Sequence, residues 1–187
     1  MSELTIDSVN QQMLQFRCPR YEQLPAIPLY RDQVLDCLNS YLLPLASDQS
    51  QPLVTAAMIN NYVKLKLVTA PVKKKYTRDQ LAQLLCILLL KQVFSISEIR
   101  GLLEIQARSY PAPEAYDYFC AEFETALQVT FSTRKFAGIG QQSAYHTPLN
   151  ELVCSAALCV AQKIFTQKYL LLDLARTQQA AEEVTAG

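Results

Sequence analysis

The chain has 187 residues, half of them apolar, and balances 17 Lys and Arg against 17 Asp and Glu. That length holds one large domain, or a small domain and a second element, and its apolar share builds a core without disulfide or metal staples. The longest apolar run, Leu84 to Leu90, falls far short of the about 20 residues of a membrane span, and the N-terminus lacks the charged-then-apolar pattern of a signal segment, so a soluble, cytoplasmic protein with no membrane partner is expected.

Four Gly and no Trp, with many Leu, Ala and Gln, favour helix over sheet. Cys18, Cys37, Cys86, Cys120, Cys154 and Cys159 contain no Cys-x-x-Cys pair. The two nearest, Cys154 and Cys159, fall about 140° apart around a helix, so they do not converge on one ion. With a single His in the chain, no metal site or other cofactor is expected, and the cysteines read as small buried hydrophobes in a reducing compartment.

Residues 2 to 17 read as a short helix with Leu4, Met13, Leu14 and Phe16 as its apolar side. Pro19, Pro25 and Pro28 then forbid a helix and imply an extended arm, with Tyr21, Leu24, Ile27 and Leu29 available to tether it. A helix from Tyr30 to Tyr41 or just beyond buries Val34, Leu38, Tyr41, Leu42 and Leu45, which recur at three- and four-residue steps; Pro44 and the polar SDQSQP end it.

Thr55 caps the next helix, and Val54 and Ile59 staple it. Ile59, Tyr62, Val63 and Leu67 form its core side. Ala57, Asn60, Asn61 and Lys64 follow the i, i+3, i+4, i+7 rule on the other side. Two amides and an ammonium on one face have the chemistry to read adenine and to meet phosphate or guanine in a major groove. The competing reading is a solvated helix face. The segment after it alternates Val68, Ala70, Val72, Lys74 and Tyr76 with Thr69, Pro71, Lys73 and Lys75, as an extended wing beside the helix would, or as a basic surface loop would. Lys64, Lys66, Lys73, Lys74, Lys75 and Arg78 thus gather six of the 17 basic residues in a stretch with no Asp or Glu. In a neutral chain that is an electrostatic footprint.

Thr77 and Gln80 form a capping box with Tyr76 and Leu81 as staple, opening a helix to about Val93 that is apolar on nearly every side. Ser95 and Glu98 form a second box, with Phe94 and Ile99 as staple, for the helix SISEIRGLLEI. After Gln106 a proline-marked boundary leads into a helix whose Tyr116, Phe119, Phe123 and Leu127 line one face; core is the main reading of this stripe, a ligand pocket the other. Ser132 to Thr147 read as a loop, with Arg134, Lys135 and His146 as solvated residues or an anion site; its Gly138-Ile139-Gly140 is too short for a nucleotide fingerprint. A last helix starts at Thr147-Pro148, runs past Arg176 and presents Leu149, Leu152, Val153, Ala156, Val160 and Ile164 as an apolar stripe, to pack on the Leu84–Leu90 helix of its own or a partner chain.

MINNYVKLKLV followed by KKKYTRDQLAQLLCILLLKQVFSISEIRGLL resembles the DNA-binding region of MerR-type winged helix-turn-helix regulators, with Tyr62, Leu67, Tyr76, Thr77, Asp79, Leu81, Ser95, Glu98 and Ile99 at the matching places. The wider pattern PRYEQLPAIPLYRDQV…MINNYVK…PVKKKY…LLKQVFSISEI is similar to a bacterial family of domains of unknown function. The first resemblance implies a mainly α fold with a small β wing, a MerR-like winged helix-turn-helix followed by a helical C-terminal region. Two departures bear on docking: the long SDQSQPLV connection replaces a tight turn, and Asn60, Asn61 and Lys64 stand where the MerR pattern has arginine beside the tyrosine.

The expected organisation is a helix and arm over 1–29, a winged helix-turn-helix-like domain over 30–105, and a helical dimerisation or effector region over 106–187. The expected function is a DNA-binding transcriptional regulator, a homodimer on double-stranded DNA. Its recognition helix (55–67) and basic wing (68–77) supply Ala57, Asn60, Asn61, Lys64, Lys66, Lys73, Lys74, Lys75 and Arg78, and a small molecule or a protein serves as its effector. The alternative is an interaction or adaptor module that keeps the fold without binding DNA. No Ser/His/Asp or Cys/His set, phosphate loop or metal cluster argues for an enzyme.

Overall fold

The capping signals close the helices they mark. In the computed structural model, which describes residues 6–46, 51–132, 150, 153–165 and 167–168, the elements run α1 (Ile6–Gln15), β1 (Leu29–Tyr30), α2 (Arg31–Leu42), α3 (Ala56–Lys64), β2 (Lys75–Tyr76), α4 (Arg78–Leu90), α5 (Ile96–Ser109) and α6 (Ala112–Phe131). Residues 153–165 are helical too. The fold is mainly α with a small two-stranded sheet, as the sequence led us to expect.

Thr55 Oγ1 accepts from the Met58 N–H at the start of α3. Thr77 and Gln80 exchange bonds at the start of α4, and Ser95 and Glu98 at the start of α5. Each box satisfies donors that a helix N-terminus otherwise leaves bare. α5 extends to Ser109, one turn past the expected end, and Tyr110-Pro111 then break the chain before α6.

α4 lies at the centre. Every residue from Gln80 to Leu90 except Gln83 is buried, as a helix without a polar face requires. α6 covers it with the predicted stripe: Tyr116, Phe119, Phe123 and Leu127 are all buried, so these rings are core. Phe123 stacks on Phe119 and meets Phe16, just beyond α1, edge-on at 6.0 Å. From residues 153–165, Ala156, Ala157, Val160, Ala161 and Ile164 join the same cluster. Of the expected loop over Ser132 to Thr147, all but Ser132 lies outside the described residues, including Arg134, Lys135 and His146, as do Leu149, Leu152 and the chain beyond 168.

The arm is more firmly held than an extended tether. Its Leu24 is buried and a short 3-10 turn spans Tyr21–Gln23. Both terminal guanidinium nitrogens of Arg20, Nη1 and Nη2, donate to Glu124 of α6 at 2.8 Å, and Glu124 also takes the Cys18 N–H. The Tyr21 N–H donates to Asp117, and Tyr116 Oη donates to the Pro19 carbonyl. Ile27 does not tether the arm; it is 72% exposed, because the chain there runs free between Leu24 and the pairing of β1 with β2.

Four cysteines, Cys18, Cys86, Cys120 and Cys154, are buried, and the six described thiols are free. A hydrogen bond with Cys120 and burial hold the Cys18 thiol well above its ordinary range, which suits an inert core residue. No helix among the described residues is long and apolar enough to cross a membrane.

Candidate nucleic-acid interface

α3 separates into two faces. Ile59 and Tyr62 are buried, while Ala57, Asn60, Asn61 and Lys64 are all exposed. The helix is held to α2 by Asn39, whose Nδ2 donates to the Val54 carbonyl and whose Oδ1 accepts the Val54 N–H. The long connection between α2 and α3 thus ends in a fixed clamp one residue before the Thr55 cap. The last carbonyls are satisfied as well: Arg100 of α5 donates to Leu65 O at 2.6 Å, and its charge opposes the negative end of the helix dipole.

Lys66 sits where α3 stops. Its N–H donates to Val63 O and the Leu67 N–H to Tyr62 O, the two reversed bonds of a Schellman motif. That motif requires a left-handed residue, and Lys66 adopts φ of 56°. Glycine or asparagine is the usual occupant.

The segment after Val68 forms its small β wing as a tight hairpin turn rather than as one extended run. Val72 pairs with Lys75 across a two-residue turn, and Lys73 and Lys74 fill it at φ of 50° and 64°. Two consecutive positive φ values are the signature of a type I′ turn. β2 then pairs antiparallel with β1, Leu29 opposite Tyr76 and Tyr30 opposite Lys75. The second partner of the wing is therefore the N-terminal arm. Gln80, read from the sequence only as a capping residue, also fixes the base of this segment: its Nε2 donates to the Thr69 carbonyl at 2.8 Å and to Thr69 Oγ1 at 3.0 Å.

Lys64, Lys66, Lys73 and Lys74 are exposed and Lys75 is half-buried. Among the described residues none of the five forms an ion pair. Arg78 is different. Its Nη1 bonds Glu22 at 2.6 Å, and its guanidinium lies over the Tyr21 ring at 5.2 Å. The hydroxyl of Tyr21 donates to Asp79, and that bond, aided by burial, pushes its phenol up to about 12. Arg78 thus belongs to the arm contact rather than to the open lysine set. Sequence reasoning missed Lys91, which lies 4.0 Å from Met58 Sδ of α3 and whose ammonium is held below its ordinary range by burial.

The chain is thus a mainly α protein carrying one open basic segment on a capped helix and a tight turn. Residues 19–119 match the family described as Domain of unknown function (DUF1836), a span of more than half the chain, and the protein belongs to that family. The match runs from the anchored arm through the basic segment to Phe119 of α6. No curated protein and no solved structure matches the chain.

Proposed function

We propose that the protein binds double-stranded DNA through α3 and the Lys73-Lys74 turn, as a transcriptional regulator. The reading rests on one observation above all: Lys66, Lys73 and Lys74, all exposed, hold left-handed backbone conformations that glycine would adopt without a steric penalty. Strain kept at a surface turn points to a use for the side chain. Three strained cations beside an exposed Asn60, Asn61 and Lys64 face fit a polyanion with readable base edges.

The likeness to MerR-type winged helix-turn-helix regulators rests on the sequence pattern from Met58 to Leu103. In this reading Lys64, Lys66, Lys73, Lys74 and Lys75 hold phosphates, and Asn60 and Asn61 read bases with Ala57 allowing close approach. Two copies, joined through the region after residue 105, set their recognition helices one DNA turn or a multiple apart. The same region answers to an effector.

The test is binding to random-sequence duplex pools at two salt concentrations, followed by selection and sequencing. Five phosphate contacts make affinity fall about five-hundredfold between about 50 and 200 mM salt. Changing Lys73, Lys74 and Lys75 together to Ala flattens that dependence, and selection recovers a palindrome. Salt-insensitive binding, or none, refutes the reading and leaves an adaptor whose basic segment meets an acidic protein surface.

A further inference from the structure

The small sheet carries a side-chain row that this reading has not used. Tyr30 stands opposite Lys75 in the β1–β2 pairing, and Val72 stands opposite Lys75 on its other side. Residues directly opposite in antiparallel pairs project to the same face. Lys75 Nζ lies 4.8 Å from the Tyr30 ring centroid, a cation–π contact that puts both on that face. Tyr30 is 53% exposed and Val72 is 72% exposed. An aromatic ring, an ammonium and a branched apolar side chain therefore form a solvent-open row, with Lys73 and Lys74 in the turn beside it.

We infer, resting on the DNA-binding reading, that Tyr30 and Val72 pack on deoxyribose walls of the duplex while Lys73, Lys74 and Lys75 engage the phosphates beside them. The N-terminal arm, through Tyr30, then supplies part of the DNA surface. Charge complementarity favours this occupant over an apolar protein surface. Lys75 sits in the middle of the row, so an apolar protein surface would bury an unpaired ammonium there, at a high desolvation cost. A nucleic acid offers apolar sugar and phosphate oxygens at alternating positions, which matches the row chemically.

The two kinds of contact separate by salt. Counterion release gives a lysine–phosphate contact its salt dependence, whereas apolar packing carries little. Affinity for the selected duplex is measured against salt for Tyr30→Ala, Val72→Ser and Lys73→Gln in the full chain. The apolar changes weaken binding about tenfold at every salt concentration with an unchanged slope. Lys73→Gln lowers the slope by about 1. Val72 flanks an exposed turn, so its replacement keeps the fold even where Tyr30→Ala loosens the arm. A wild-type chain that binds DNA steeply with salt, with both apolar variants binding as wild type, overturns this inference alone. A wild-type chain that does not bind DNA overturns the underlying reading with it.

Discussion

The side-chain amide of Asn39 meets the backbone of Val54 at both ends, accepting its N–H at 3.0 Å and donating to its carbonyl at 3.1 Å. A third bond, from the same Nδ2 to Leu35 O at 2.9 Å, fixes the amide on α2. Val54 is 2% exposed, so water cannot replace what Asn39 supplies. Asn39→Ala strands two buried backbone groups and costs about 2 kcal/mol, read from the urea midpoint. Asn39→Asp keeps the acceptor for the Val54 N–H but turns a carboxylate oxygen towards the Leu35 and Val54 carbonyls, so it destabilises as well.

Lys66 and Lys74 set stability against the proposed binding. Replacing either with Gly removes the Cβ that a positive φ disfavours, and raises unfolding free energy by about 1 kcal/mol. Under the proposed DNA binding, the same change also removes a phosphate contact, so DNA affinity falls while the melting temperature climbs. Lys66→Ala keeps the Cβ and gains no stability. Paired urea melts and DNA titrations check both halves, and a Gly variant that is less stable than wild type refutes the strain argument.

Glu124 ties the arm to α6 through three hydrogen bonds, two from Arg20 and one from the Cys18 N–H. Its side chain is 9% exposed, but that of Arg20 is 37% exposed and keeps part of its hydration. Glu124→Ala therefore costs about 2 kcal/mol rather than the full penalty of breaking a buried pair. Limited proteolysis should then cut within residues 17–28, where the wild-type arm resists.

Tyr21 gives the arm a pH limit. Its pKa is raised from 10.0 to about 12, so the folded state holds the proton more tightly than the unfolded chain. The resulting stability is complete below pH 10 and is lost as the pH climbs from 10 towards 12. Tyr21→Phe removes that contribution and flattens this part of the stability–pH curve relative to wild type. Urea unfolding at stepped pH values measures the difference between the two slopes.

The helix starts were legible because their signals are local. Thr55, Thr77 and Ser95 each declare a cap within four residues, and the faces of α3 follow from its spacing alone. Arm contacts were not legible, because Arg20 and Glu124 are 104 positions apart and nothing in either neighbourhood names the other. The same holds for Arg78. It counted with the basic stretch in sequence, but Glu22, 56 positions earlier, takes its charge. The Lys73-Lys74 turn was missed for another reason. Left-handed turns are recognised by Gly, Asn or Asp, and lysine gives no such sign.

β2 has an arm strand for a neighbour, and that shapes how the protein can be cut. A fragment trimmed to begin after Tyr30 would keep every helix of the basic segment but lose β1. Tyr76 would then lose the strand opposite it, while the Lys75 N–H keeps its bond to Val72 O. The smallest well-behaved piece of this protein therefore begins before the arm.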